Sequence, residues 1–256
     1  STWSALGVAL TMHHSRLYKL KTWLTLEGAA SHLSSVLSEP VGVDDLLQLA
    51  IEKRLKLSVR TPEPFYANKG SVHSLDNARV MLRVTSSYKL CRPKTDVEAL
   101  EQKIAGFWNL RELNDDIKKE VTEQNVEIFF VGNLISQQEH VIFSKEVLRL
   151  PPGVYDLPML SSEALDIEAM YSHLVHGEVI ETVCLDGMWV EQEGCLYRMC
   201  ELATSDDNNE GYETLERWQE RYENPDRWCP ADSFPGGSAI IVRRKNLDAF
   251  IACLEE

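Results

Sequence analysis

The chain has 256 residues, a formal charge of −14 and 44% apolar residues. That apolar share suits a packed core in one large domain or two small ones, which argues against wholesale disorder, and the excess acid opposes indiscriminate coating of a phosphate backbone. No run approaches the roughly 18 consecutive apolar residues of a membrane span, and Ser1-Thr2-Trp3 lacks a basic region leading into an apolar stretch, so the expectation is a cytoplasmic protein without a membrane partner.

Thr25 is placed to cap a helix whose Leu26, Ala29, Ala30, Leu33 and Leu37 recur at helical spacing, with Pro40 and Gly42 ending it. Asp44 is then expected to cap a second short helix through Leu46, Leu47, Ala50 and Ile51, which stops at Lys53-Arg54. Leu55 to Arg60 alternates apolar and polar as a half-buried strand does. Helix, tight connection, helix, strand is the order of a winged helix-turn-helix. Residues 61–76, with two prolines, Asn68 and Gly70, read as a loop or wing tip. Ala78 to Leu90 reads as extended, and Asp96 opens a helix carrying Val97, Leu100 and Ile104.

The passage Gly106 to Leu113 then returns as Gly153 to Leu160, preserving glycine, aromatic, Asn/Asp and both leucines. Farther on, Val131 to Glu139 is answered by Leu185 to Glu193, again apolar around a turn dipeptide. The spacing implies a duplicated module of about fifty residues. Each copy reads as a glycine-aromatic-Asn/Asp-Leu loop, a helix and a hairpin. The first helix spans Asp115 to Glu123 and is followed by a strand at Val126 to Val131 and a turn at Gly132-Asn133. The second helix, capped by Ser161 or Ser162 and stopped by Gly177, sets Leu165, Ala169, Met170 and Leu174 on one face. Its hairpin turns on Asp186-Gly187, a type I′ dipeptide, and a further turn near Glu193-Gly194 returns Cys195 to Leu202. The hairpins are expected to share one antiparallel sheet, because a lone two-stranded ribbon is marginal.

Beyond Leu202, nine acids face three arginines between Glu201 and Arg227. Leu215, Trp218 and Tyr222 share a helical stripe there, and a strand over Ala239 to Val242 precedes a final helix bearing Leu247, Phe250, Ile251 and Leu254. Residues 1–60 are less acidic, with seven basic residues against five acids.

The six cysteines form no C-x-x-C pair, so reduced structural thiols are expected. His173, His176 and Cys184 are too few for a structural zinc, and neither metal nor cofactor is expected. There is no phosphate-cradling G-x-x-x-x-G-K-S/T, no G-x-S-x-G elbow and no H-E-x-x-H. Asp186, Glu191 and Glu193 could be drawn as a nuclease cluster, but no lysine follows, and they read more simply as turn and solvent-facing residues. An enzyme is not expected.

Trp23-Leu24-Thr25-Leu26-Glu27-Gly28-Ala29-Ala30 resembles the opening of the excisionase and MerR-like winged helix-turn-helix family, W/Y-L-T-x-x-E-A-A. Ile241 to Phe250 is similar to the basic strand and D/N-L-x-A-F helix that close such domains. The chain also resembles bacterial proteins of phages and integrative elements in which a passage like Gly153 to Met159 recurs. This likeness implies an α+β fold in which residues 1–60 and 237–256 make a winged helix-turn-helix-like unit. Between them lie a connecting strand and helix (61–104), repeat modules at 105–150 and 151–202, and an acidic linker (203–236). It further implies a DNA-binding regulatory or accessory protein of a mobile element, acting as a dimer. Gln48 on the second helix would then face bases, while Lys53, Arg54, Lys56, Arg60, Arg243, Arg244 and Lys245 contact phosphates of double-stranded DNA. Asp44-Asp45 at the start of that helix opposes phosphate. The alternative is a protein-interaction module or adaptor without DNA binding, recruiting its partner through the acidic 201–227 segment or a sheet edge. In the repeats, Trp108 and Tyr155 could stack on bases or a peptide with Asn109 and Asp156 as hydrogen-bonding partners. The simpler account makes the aromatics core anchors and has Asn109 and Asp156 bond their own turn backbone.

Overall fold

The computed structural model describes residues 16–109, 113–179, 186–203, 224 and 227–254. In chain order the first elements are α1 (Arg16–Leu20), β1 (Trp23–Thr25), α2 (Leu26–Leu37), α3 (Val43–Ile51), β2 (Ser58–Thr61), β3 (Phe65–Ser74), β4 (Arg79–Val84), α4 (Ser86–Cys91) and α5 (Lys94–Lys103). Next come β5 (Phe107–Asn109), α6 (Asp115–Thr122), β6 (Val126–Phe130), β7 (Asn133–Leu134), β8 (Glu139–Leu150) and β9 (Gly153–Asp156). The last are α7 (Ser162–His176), β10 (Trp189–Gln192), β11 (Cys195–Leu202), β12 (Trp228–Pro230), β13 (Ala239–Arg243) and α8 (Arg244–Leu254). The class is α+β with mostly antiparallel sheet. The residues divide into two compact units, one from Ser1–Ala67, Arg149–Gly194 and Arg198–Glu256, the other from Asn68–Leu148 and Cys195–Tyr197. No described helix is long and apolar enough to cross a membrane.

In the first unit the strands run in the order β1-β13-β2-β9-β10-β11, with β12 beside β11. Strand β13 lies between two strands from the other end of the sequence, pairing Leu24 with Val242 and Val59 with Ile240. Thr25 caps α2 by accepting the Gly28 N–H at 3.1 Å, and Leu26, Ala29, Ala30 and Leu33 are buried on one stripe, as their spacing predicts. Ser34 then closes the tight connection, its hydroxyl accepting the Val41 N–H at 2.9 Å and donating to the Ala30 carbonyl. The N-cap of α3 is Gly42 and not Asp44. Asp45 reaches back to accept the Gly42 N–H at 2.7 Å, so both acids fall inside the first turn, where they favour the helix dipole.

The half-buried alternation expected over Leu55 to Arg60 holds except at Ser58: Leu55, Leu57 and Val59 are buried, Lys56 and Arg60 are exposed, and Ser58 is buried as well. Strand β2 is central, and the Ser58 hydroxyl is satisfied by Asp156 at 2.7 Å, so a polar residue is tolerated inside. The segment read as a loop at 61–76 is largely β3. Its Gly70 permits close strand approach, since a Cβ there would stand 2.7 Å from Val141 Cγ2.

The second unit packs α5 and α6 on the sheet β5-β4-β6. Val80, Leu82 and Val84 alternate inward from β4 to meet Leu100, Ile104, Leu113 and Ile117. The extended reading of Ala78 to Leu90 holds only to Val84, after which Thr85 accepts the Tyr88 N–H and starts α4. Helix α5 begins at Lys94, two residues before the expected Asp96.

The two passages read as loops are strands. In β5, Trp108 sits opposite Val80; in β9, Tyr155 sits opposite Val59. A helix follows each of these strands, α6 after β5 and α7 after β9. Strand β6 pairs with β4, the neighbour of β5; its expected counterpart in the second copy, Val179 to Leu185, lies outside the described residues beyond Val179.

Helix α7 has Gly177 as its C-cap (φ 71°), as expected, but its rotation differs from prediction. Glu163 and Ile167 are buried, while Met170 and Leu174 are exposed. The reason is the Glu163 carboxylate, which accepts the N–H groups of Leu160 (2.8 Å), Ser161 (3.1 Å) and Trp189 (3.1 Å) and so orients the helix. The hairpin expected to turn on Asp186-Gly187 has its first strand at 180–185, outside the described residues; what is described is a close backbone approach at Gly187. Gly187 has φ 73°, and a Cβ there would lie 2.6 Å from Pro230 Cβ and 2.9 Å from the Ala231 carbonyl oxygen. Gly187→Ala is expected to cost about 3 kcal/mol, combining left-handed strain with overpacking. Urea denaturation monitored at the buried Trp189 checks this, and a midpoint within error of wild type would remove the packing argument. By contrast Glu193-Gly194, with φ 53° and 77°, forms the two-residue turn between β10 and β11 that the sequence predicts.

Candidate functional site

Three elements of the first unit meet at the carboxyl end of β9. The Asp156 carboxylate, buried, accepts the Ser58 hydroxyl at 2.7 Å and faces Arg243 Nε at 2.8 Å and Lys245 Nζ at 3.9 Å. Its register partner on β10 is Glu191, so two carboxylates oppose one another across the strands. Like charges in that relation repel. The fold compensates by giving each its own cation, Arg243 to Asp156 and Lys56 to Glu191 at 3.1 Å. The Asn246 side chain, in the first turn of α8, donates to the Lys56 carbonyl at 3.1 Å and ties the helix start to the strand approach. A cleft of about 370 Å³ opens beside these groups, lined by Arg54, Lys56, Asp156, Glu191, Glu193 and Gly194 on one side and by Lys245, Asn246, Ala249, Phe250 and Cys253 of α8.

Of the basic residues singled out in the sequence, Arg54, Lys56 and Lys245 thus come together, and Arg243 stands directly behind them. Arg243 also donates to the Val154 carbonyl. Arg244 instead points to Asp248 at 3.7 Å and donates to the Lys19 carbonyl. Arg60 lies over the Trp23 ring, 5.7 Å from its centroid. Lys53 is exposed in the left-handed region at φ 59°. Gln48, the expected base-reading residue, donates to Glu52 at 2.9 Å. Its helix buries Leu46, Leu47 and Ala50, exposes Asp44, Asp45 and Gln48, and contacts α7.

The repeat residues separate. Trp108 and Asn109 belong to the second unit, Tyr155 and Asp156 to the first. The Trp108 indole donates to the Ile104 carbonyl at 3.0 Å and packs on that unit's core. Tyr155 is 0% exposed, donates to the Pro151 carbonyl at 2.6 Å and meets Phe65 edge-on. Asp156 does not bond a turn backbone of its own, as the Asx reading has it: it bonds across the sheet to Ser58, because its segment is a strand.

Two features escaped the sequence. Glu163 carried only its place at a helix start as a signal; burial pushes its carboxyl above the usual range, with backbone N–H groups, its own among them, pulling the other way. Glu191 and Glu193 could be recognised as a pair of acids, but their closeness to Lys56 and α8 depends on partners more than fifty residues away. Among the described residues no group of three or more His, Cys, Asp or Glu is arranged around a metal-sized site. His173 and His176 are exposed on α7. Cys184, the expected helix with Leu215, Trp218 and Tyr222, and nearly all of the acidic 201–227 segment lie outside the described residues. Neither a family model, nor a curated protein, nor a solved structure matches the chain.

Proposed function

We propose that the chain is a protein-recognition module, using a winged-helix-like arrangement as scaffold and not as a DNA reader. The order β1-α2-α3-β2 with β13 and α8 closing the sheet supports the scaffold. One observation carries the choice of partner: Arg243 faces Asp156, Lys56 faces Glu191 and Arg244 faces Asp248. Cations already opposed by carboxylates release few counterions on meeting a phosphate backbone. The acidic outward side of α3 agrees with this reading.

Two measurements test it. Fluorescence anisotropy with mixed-sequence double-stranded DNA should show no salt-dependent binding in the range of roughly 10⁻⁴–10⁻⁶ M typical of nonspecific association. Selection of displayed random peptides against the immobilised protein should enrich a consensus. Failure to enrich any peptide removes the proposal. The second reading, an accessory DNA-binding protein of a mobile element, draws on the exposed Lys53 and Arg60; steeply salt-dependent DNA binding that falls with Lys53→Glu and Arg60→Glu would establish it instead.

A further inference from the structure

From the cleft beside α8 we infer the class of peptide recognised: a chain end whose free α-carboxylate is accompanied by a basic side chain in the last two positions. This rests on the recognition-module reading. The cleft's volume of about 370 Å³ lies within the roughly 300–1,000 Å³ of small-ligand pockets, which accommodates the end of a chain and not a folded surface. Its charges decide what kind of end. Arg54, Lys56 and Lys245 are matched in number by Asp156, Glu191 and Glu193, so a polyanion meets as much repulsion as attraction, while a dipolar ligand can satisfy both signs.

The charges are also unequally engaged. Lys56 and Glu191 hold one another at 3.1 Å, and Asp156 is held by Arg243 at 2.8 Å. Lys245 stands farther from Asp156, at 3.9 Å with its side chain 66% exposed, and among the described residues Arg54 is ion-paired with Glu52 alone, at 4.0 Å. These two are the cations free to turn toward a carboxylate. Glu193 has no ion pair among the described residues and is presented from a left-handed position (φ 53°), in a turn where Asn or Asp is the usual choice. It is the carboxylate open to an ammonium or guanidinium. Phe250 and Ala249 supply an apolar floor between the poles. A terminal carboxylate fits such a site better than an Asp or Glu side chain, because no side-chain rotamers have to be frozen to present it.

The test compares N-acetyl-Gly-Gly-Lys as free acid with the same peptide carrying a C-terminal amide, by ¹H–¹⁵N chemical-shift titration of the full chain. The free acid should saturate with Kd below about 1 mM and shift the amides of Arg54, Glu193, Lys245 and Phe250. Amidation should weaken binding about tenfold, and Arg54→Gln and Glu193→Gln should each weaken it about fivefold with unchanged unfolding midpoints. Equal affinity for acid and amide, shifts elsewhere, or no saturation by about 10 mM overturns the inference. Inorganic phosphate binding as tightly as the peptide also overturns it, as it would show a plain anion site. If peptide display returns a consensus with no basic chain end, the cleft inference falls while the module reading stands; if display returns nothing, the reading itself falls.

Discussion

Tyr155→Ala is expected to destabilise the first unit by about 4 kcal/mol, within the range for truncating a large buried aromatic. The ring is fully buried, edge-on to Phe65 at 5.0 Å between centroids, opposite Val59 in the centre of the sheet. Tyr155→Phe should cost only about 1 kcal/mol, the worth of its hydrogen bond to the Pro151 carbonyl. Native-state hydrogen exchange of first-unit amides is the suitable measurement, because a chain of two units need not unfold in one step. The pair of variants also separates the two accounts of the repeat motif. A ligand-stacking tyrosine would lose binding and little stability on truncation. A core anchor loses stability, and Tyr155→Phe leaves peptide affinity unchanged. Stability loss under about 1 kcal/mol for Tyr155→Ala would contradict the anchoring role.

Glu163→Ala should cost about 3 kcal/mol, since it strands the buried N–H groups of Ser161 and Trp189 and the part-buried one of Leu160, a buried group costing roughly 1–3 kcal/mol when unsatisfied. The lost bonds join the start of α7 to Trp189 in β10, so the effect should appear as lost exchange protection at Leu160, Ser161 and Trp189. Glu163 also predicts a pH dependence. Burial raises its carboxyl above the ordinary value of about 4.3. Between the unfolded and the raised folded value the folded state holds more protons than the unfolded state, so the stability contributed by this group falls as pH rises through the window. Glu163→Gln removes the titration. The stability difference, wild type minus Glu163→Gln, should therefore decrease as pH is raised from 4 toward 7 (about the span between the free carboxyl and neutrality). A difference that stays constant, or grows, would show that the N–H bonds outweigh burial.

Both effects bear on the cleft. Tyr155 precedes Asp156, and Trp189 stands two residues before Glu191, so the core that these side chains form sets the positions of two of the cleft's carboxylates. The surface itself contributes little to stability. The Lys56–Glu191 pair lies at the surface, Lys56 exposed and Glu191 half-buried, and such pairs are worth about 1 kcal/mol or less. That asymmetry permits substitutions of Arg54 and Glu193 to be read as changes in recognition.

Local chemistry was legible in the chain. The Thr25 cap and its stripe, the alternation of Val80, Leu82 and Val84, the Gly177 stop and the Glu193-Gly194 turn depend on neighbours within a few residues, and each is found where its pattern places it. Their determinants are backbone dihedrals and short-range periodicity, which travel with the sequence. Tertiary structure alone decided the rest. It made strands of the two glycine-aromatic passages, because Val80 and Val59 offered them edges to pair with. It turned α7 toward Glu163 and away from Met170 and Leu174, because the distant Trp189 N–H shares the carboxylate that also caps the neighbouring Leu160 and Ser161 N–H groups. It converted a row of cations that looked available to phosphate into partners for Asp156, Glu191 and Asp248. A charge is written in the sequence, but the field it experiences is the sum over groups brought near by folding, and for Arg243 the nearest carboxylate comes from a strand 87 positions earlier.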